Sequence, residues 1–468
     1  TADYSDITTG GVEVSLEVSG VQDTKNGGND TLDEIENLIG TSYKDTLTGN
    51  NGDNTILSGI GDDTIYTKGS TTLGSDYVDG GSGEDLLSFN YSNESVNIDL
   101  DKTTKQNIGS SNIIVNNIEN LEGSTASDVL KGSTSTDNDI YGLDGDDTLY
   151  GRSGDDTLVG GNNDDTLFGN EGDDYIDGSS GVDTVDYSTS GDSVDLTLGE
   201  IGVEATATVG LDNDTVKDVE NIVGSNLNDT LGGNSEDNEI DGNKGDDRLI
   251  ASDGSDTLIG NDGNDTIDYS QRDKSIEVTL NGSSQSTLYE DSVAKDKIYS
   301  VENVKGSQAN DSIVGDSKNN IIEGNEGDDT LSGGKGNDYI DGGSNTAVGD
   351  TVDYSYIDEV LTDSKGVNVD LEAGQATDLN NSNSDTLNDI ENVNGTKYDD
   401  TIKGDSSNNT LKGNDGNDTL IGNDGDDELL GGKGDDTLKG GKGDDNFVGG
   451  EGLDTADYSD VDEKLFVD

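Results

Sequence analysis

The sequence predicts an all-β fold, a parallel solenoid of short strands and tight turns. Three observations predict it. A nine-residue motif recurs in five separate runs. One apolar residue per motif falls at the same, eighth, place. And only 27% of the 468 residues are hydrophobic and 4% aromatic, against 68 glycines. That is too little apolar material for an ordinary globular core, although the length alone allows about three domains.

The charge narrows the partners. With 103 acidic and 25 basic residues the net charge is −78. Nucleic acid and anionic membrane surfaces are repelled, and cations are the expected partners. Cys, Met, Trp, Pro and His are all absent. This excludes a disulfide framework, the usual zinc sites, a thiol nucleophile and a Ser–His pair. No enzyme activity is expected from this chain. No run reaches the ~18–20 apolar residues of a membrane span, so direct membrane insertion is not expected. No signal peptide is visible, and the chain opens on Thr1, which reads as a processed product or an excised segment.

The motif is G-G-x-G-x-D-x-U-x, with U apolar. From Gly395 to Asp457 it runs seven times without a gap, as in "GNDGNDTLI", "GNDGDDELL", "GGKGDDTLK" and "GGKGDDNFV". Related runs begin at Gly40, Gly123, Gly224 and Gly306. Glycines at the first, second and fourth places permit a tight turn with carbonyls pointing inward. The last three residues, such as "TLK" at 437–439, predict a brief strand with Leu438 inward. Its equivalents are Leu149, Leu158, Leu167, Leu258, Leu331 and Leu420.

Turn plus strand makes half a coil, so two units make a coil, and coils stack at about 4.8 Å. Turns two units apart then lie one above another: Asp418 over Asp436, Asp427 over Asp445, Asp436 over Asp454. Two bare carboxylates at ~5 Å repel by roughly 3 kcal/mol at an effective dielectric of about 20. Ca²⁺ between them reverses the sign, because it takes six to eight oxygens from carboxylates and carbonyls in a flexible cage. Mg²⁺, with its stricter octahedron, suits such a cage less well. The sixth-place ligands so predicted are Asp45, Asp63, Asp76 and Asp85 in the first run, then Asp128, Asp147, Asp156, Asp165, Asp174 and Asp183. The third and fourth runs supply Asp229, Asp247, Asp256, Asp265, Asp311, Asp329 and Asp338. The fifth supplies Asp400, Asp418, Asp427, Asp436, Asp445 and Asp454. Pairing turns within runs allows up to about 19 Ca²⁺ sites, and filling them would leave a net charge of about −40. In "GDD" the second Asp is expected to ligate, while Asp435 and Asp444 face solvent or brace the turn.

On these residues the chain resembles the repeats-in-toxin (RTX), or hemolysin-type calcium-binding, proteins. The resemblance covers the motif runs, roughly half of the chain, and the intervening segments resemble spacers of large bacterial surface proteins. It implies a parallel β-roll or β-helix. It further implies Ca²⁺ held by the sixth-place Asp and by carbonyls of the first, third and fourth residues. In the last run the glycines among these are Gly413, Gly416, Gly422, Gly425, Gly431, Gly434, Gly440 and Gly443. Some units depart from the pattern. Asn54, Asn238, Asn320 and Asn409 occupy the sixth place and are expected to bind weakly or not at all. The stretch 67–79 carries an insertion, and the turn at 342–353 lacks a sixth-place Asp on a simple count.

A longer period encloses the nine. "DYS" or "NYS" recurs at Tyr4, Tyr91, Tyr187, Tyr269, Tyr354 and Tyr458. After each full copy comes an alternating stretch, at 12–18, 96–100, 194–198, 276–280 and 367–371, that reads as a half-buried strand. "IEN" or a variant follows, with Asn37, Asn120, Asn221, Asn303 and Asn392 in one place. The modules run 1–85, 86–182, 183–264, 265–349 and 350–453, with 454–468 opening a sixth or serving as an end-to-end connector. "TADYSD" stands at both ends, as in a stretch of something longer or in copies that meet tail to head.

Competing readings are weaker. Disorder is the default for such a composition, and it is the expectation without metal, but the strict register opposes it with metal. The Asn of "IEN" reads as a turn cap or ladder rather than a ligand. The Tyr of "DYS" reads as a plug over a coil rather than a sugar-stacking residue. Sequons such as 29–31 are frequent by composition alone. Paired acids of a glycosidase do not recur in every turn. An ice- or carbohydrate-binding ladder along Thr148, Thr157, Thr166 and Thr437 breaks at Tyr175, Arg248 and Glu428.

The functional expectation is a secreted, calcium-binding structural protein of a bacterial surface, biofilm matrix or S-layer. It would form a Ca²⁺-stiffened rod or fibre that self-associates, with other surface or matrix components as further partners. Export by type I secretion would keep it unfolded until external Ca²⁺ folds it coil by coil. The alternative is the non-catalytic repeat region of a larger secreted enzyme, toxin or adhesin.

Overall fold

The computed structural model describes residues 1–67, 74–109, 111–346, 348–355, 365–379 and 383–459. Part of the insertion at 67–79, part of the turn at 342–353 and most of the segment 454–468 lie outside the described residues. The chain divides into two compact units, Thr1–Asn243 and Lys244–Asp468. Each is almost wholly β, with one short 3₁₀ turn at Lys25–Gly27 in the first. No helix is long and apolar enough to cross a membrane.

In both units the strands are brief and parallel, offset by two motifs. In the first unit Thr148–Ser153 pairs with Thr166–Glu171, and Asp139–Asp144 with Thr157–Asn162, placing Leu149 beside Leu167 and Ile140 beside Leu158. In the second unit Thr410–Asp415 pairs with Glu428–Lys433, and Thr419–Asp424 with Thr437–Lys442. Alternate motifs therefore build opposite faces, and each coil rests on the one eighteen residues away. The predicted inward residues form the core: Leu149, Leu158, Leu167, Leu258, Leu331 and Leu420 are fully buried and Leu438 nearly so. One such side chain per half coil is a thin core, so the turns must supply much of the cohesion.

The spacers are coils too. The alternating stretches form strands at Glu13–Ser15, Asn97–Asp99, Val194–Thr197, Ile276–Thr279 and Val367–Asp370. Each lies parallel on the first motif strand of the following run, as Val369 does on Ile402. Later modules then add an antiparallel hairpin that the sequence reading did not anticipate. In the fourth it comprises Ser286–Glu290 and Val293–Tyr299, and the second of these pairs back on Thr257–Ile259 of the preceding run. The "IEN" asparagines cap strands: Asn392 Oδ1 accepts the Thr410 N–H at 2.9 Å, and Asn37, Asn120, Asn221 and Asn303 repeat the contact.

The module tyrosines plug the coil ends. Tyr187, Tyr269 and Tyr354 are buried and donate to Asp214, Asp296 and Asp385 at 3.0, 2.6 and 3.0 Å. Tyr4 does the same to Asp30 at 3.1 Å. The second module differs. Its Tyr91 is half exposed against the Tyr66 ring, and Phe89 takes the buried place instead. The Phe89 N–H bonds the Glu122 carbonyl as the Tyr187 N–H bonds Val223, which fixes the equivalence. Where the other late modules carry Asp, this one carries Ile113, in register with Asp76 as Asp214 is with Asp174. A ring without a hydroxyl thus coincides with a site without an acceptor.

Candidate metal sites in the turns

Adjacent coils are linked at the sixth place by a repeated hydrogen bond. The Asp418 N–H donates to Asp436 Oδ1 at 2.9 Å, Asp147 to Asp165 at 2.7 Å, and Asp247 to Asp265 at 2.9 Å. The fifth place forms a second ladder of opposite sense. There Asp435 donates its N–H back to Asn417 Oδ1 at 2.7 Å, and Asp444 to Asp426 at 2.8 Å. The shoulder-to-shoulder aspartates therefore reach in opposite directions along the solenoid. Asp435 and Asp444 are exposed and brace the turn.

The sixth-place bond uses one carboxylate oxygen. The other is buried and has no hydrogen-bond partner at Asp85, Asp147, Asp156, Asp165, Asp174, Asp183, Asp265, Asp329, Asp338, Asp418, Asp427 and Asp436. A buried charged oxygen left so costs several kcal/mol without a compensating ion or proton. It faces a glycine of its own turn. A β-carbon at Gly413 would come 2.2 Å from Asp418 Oδ2 and 2.8 Å from the Gly431 carbonyl. One at Gly434 would come 1.7 Å from the Gly416 carbonyl. Gly422, Gly425, Gly431, Gly440 and Gly443 repeat the pattern with Asp427, Ser407, Asp436, Asp445 and Gly425. Glycine is required on both counts, since Gly434 also holds φ 127°. Third-place carbonyls are engaged otherwise: Lys433 O accepts the Gly416 N–H at 2.8 Å. The gap between stacked turns is thus lined by hard oxygens, a donor set that fits Ca²⁺. Among the described residues no three acidic side chains converge by themselves on one point, so carbonyls are needed to complete any cage.

Burial sets the electrostatics. It pushes the Asp418 carboxyl up to about 7, against the Asp400 N–H, with the Asp400 and Asp436 carboxylates adding to the rise. Asp147 likewise reaches about 7 and Asp329 about 8, burial first in each. A cation in the gap would hold these groups ionised.

The predicted ligands are not all alike. Asp45, Asp128, Asp229, Asp311 and Asp400 open their runs, and protein donors fill them. Asp311 Oδ1 accepts from the Ile276 N–H and the Ser307 hydroxyl, both at 2.8 Å, and Oδ2 from the Ser307 N–H at 2.6 Å. Thr41, Ser124, Ser225 and Thr396 serve the others. The signal was present in sequence: a hydroxyl residue replaces glycine at the second place. Asp256 Oδ2 accepts from the Ser252 hydroxyl at 2.8 Å. Asp76 Oδ1 accepts from the Asn54 N–H at 2.9 Å. Asp445 and Asp454 accept from Asp427 and Asp436 at 3.2 Å in the more open last coils.

The sixth-place asparagines present a donor where the aspartates present a second carboxylate oxygen. Asn409 Nδ2 gives a hydrogen bond to the Glu391 carbonyl at 2.8 Å, and Asn54, Asn138, Asn238 and Asn320 do the same to Glu36, Glu119, Glu220 and Glu302. Sequence counting missed Asp350. Beyond the lengthened turn it accepts the Asp329 N–H at 2.7 Å, and its Oδ2 is buried and unpartnered. Reading back from "DTV" (350–352), rather than forward from Gly342, would have found it.

Fold and turns together define a cation-binding parallel β-solenoid. Comparison with known families is in agreement: the RTX calcium-binding nonapeptide repeat matches at 34–68, 70–89, 133–193, 223–270, 305–340 and 385–456. These spans cover more than half of the sequence, and the chain belongs to that family. No curated protein matches it. Among solved structures, the extracellular lipase LipA of Serratia marcescens is similar at 15% identity and a TM-score of 0.16. That match covers 44% of this chain and 40% of the lipase, less than half the length of either.

Proposed function

We propose that this chain is a secreted structural protein whose folding is coupled to external Ca²⁺. The observation that carries the reading is the row of buried, unpartnered carboxylate oxygens, each aimed at a glycine cradle. Those residues are the proposed ligands, together with turn carbonyls. The run-opening aspartates, filled by hydroxyl and backbone donors, act as caps. In low Ca²⁺ the charge of −78 keeps the chain expanded. In millimolar Ca²⁺ coils close successively, each templating the next, in modules with the boundaries given above. The product is a stiff acidic rod for a cell surface or matrix. Self-association into a fibre or layer belongs to this proposal, with Ca²⁺ bridging carboxylates between copies whose flanks repel. Circular dichroism tests the folding: disorder in chelator and β-structure after Ca²⁺ are expected, and equal β content in both would overturn the reading. Electron microscopy at millimolar Ca²⁺ tests assembly, with isolated monomers counting against it.

A further inference from the structure

The motif runs end where a spacer coil takes over, and there the turn pattern loses its next aspartate. A glutamate from the "IEN" segment replaces it. The Asp85 N–H donates to Glu119 Oε2 at 3.0 Å, Asp183 to Glu220 at 2.8 Å, Asp265 to Glu302 at 3.1 Å and Asp350 to Glu391 at 2.8 Å. In all four the aspartate is 0% exposed and its Oδ2 has no hydrogen-bond partner. A second oxygen is aimed at the same spot. A β-carbon at Gly80 would stand 2.6 Å from Asp85 Oδ2 and 2.1 Å from the Asn117 carbonyl. At Gly342 the values are 2.6 Å from Asp350 Oδ2 and 2.1 Å from the Asp389 carbonyl, and at Gly178 they are 2.7 Å from Asp183 Oδ2 and 2.2 Å from the Asp218 carbonyl. Asn117, Asp218 and Asp389 each hold a left-handed φ of 46–49° that turns this carbonyl inward, a conformation non-glycine residues seldom adopt.

Resting on the Ca²⁺ reading above, we propose that three junctions, Asp85/Glu119, Asp183/Glu220 and Asp350/Glu391, are Ca²⁺ sites in their own right. Each joins a nonapeptide turn to a spacer that has no nonapeptide turn of its own. Buried carboxylate oxygen, glutamate and inward carbonyl form a hard-oxygen set like that between two motif turns. Bound Ca²⁺ would carry the stack across the spacer. The fourth junction is closed by the protein itself, because the Lys318 ammonium is paired with Glu302 Oε1.

The test is native mass spectrometry of the full chain in CaCl₂, counting bound ions. Gln keeps the acceptor for the aspartate N–H but removes the charge, so Glu119→Gln, Glu220→Gln and Glu391→Gln separate a metal role from a structural one. The triple variant is expected to bind three fewer Ca²⁺ with its β-structure retained at saturating Ca²⁺. An unchanged count would overturn the junction sites and leave the proposed function standing, while a wild-type chain that takes up no Ca²⁺ would overturn both. If the triple variant does not fold, Glu220→Gln alone carries the test, with a loss of one. Lys318→Ala is expected to gain one ion, which no loss of folding can mimic, and no gain would count against the site.

Discussion

Asp418 and Asp436, eighteen residues apart, are joined by a 2.9 Å hydrogen bond that uses one oxygen of Asp436 and leaves the other buried without a partner. The division predicts an asymmetric response to substitution. Asp436→Asn keeps an acceptor for the Asp418 N–H but removes the charge facing Gly431. We expect one to two Ca²⁺ fewer and a half-saturating Ca²⁺ for folding raised about tenfold, equivalent to ~1.4 kcal/mol. Asp435→Asn, on the exposed ladder, should change stability by no more than about 0.5 kcal/mol. Isothermal titration and Ca²⁺-dependent circular dichroism of the two variants check this, and equal effects would refute the assignment.

Asn409 occupies the same place as Asp418 one motif earlier, and its amide donates to the Glu391 carbonyl. Asn409→Asp sets a carboxylate oxygen against that carbonyl. Unless a cation enters, the loss of donor and the new repulsion should cost about 1–3 kcal/mol. Thermal melts at limiting Ca²⁺ are expected to show the variant less stable, with the gap narrowing as Ca²⁺ rises. A variant as stable as the wild type at limiting Ca²⁺ would show that the amide is not needed there.

Much of this geometry was legible because the motif is strictly periodic. Leu420 and Leu438 point inward, and turns two motifs apart stack, for reasons visible within eighteen residues of sequence. What escaped was set by contacts from further away. Glu119 meets Asp85 across 34 residues and a spacer, so no local count reveals it. The letters "NYS" drew attention to Tyr91, but the strand register places Phe89 in the plug, two residues earlier. The hairpins escaped because their pairing is antiparallel and specified by the solenoid edge they return to. Asp350 escaped because three extra residues lengthen its turn while leaving its strand in register.

The raised carboxyls make the metal-free fold a creature of low pH. In the folded chain burial raises Asp427 to about 6, Asp418 to about 7 and Asp174 to about 8, against 3.8 when unfolded. A raised acid binds its proton more tightly when folded. Its contribution to stability is therefore fully present below about pH 4 and is lost as pH rises through 6–8. In chelator, β-structure should be greater at pH 4.5 than at pH 8. Ca²⁺ competes with those protons, so half-saturating Ca²⁺ should fall as pH rises over the same window. Circular dichroism at several pH values, with and without Ca²⁺, reads both trends, and metal-free β-structure that increases toward pH 8 would contradict them.

The plug of the fourth module offers a prediction independent of metal stoichiometry. Tyr269 is buried and donates to Asp296 Oδ2, whose Oδ1 accepts the Asp256 N–H. Tyr269→Phe removes one donor from a buried carboxylate and should cost about 1–3 kcal/mol. The second module already lives with Phe89 because Ile113 stands in the acceptor's register position. Phe89→Tyr there would bury a hydroxyl over an apolar neighbour and should also destabilise, whereas a hydroxyl at an exposed ring position would not. Chemical denaturation at saturating Ca²⁺ is expected to show both single variants below wild type. Should Tyr269→Phe leave stability unchanged, the Tyr–Asp bond would be incidental and the plug would work through the area of its ring alone.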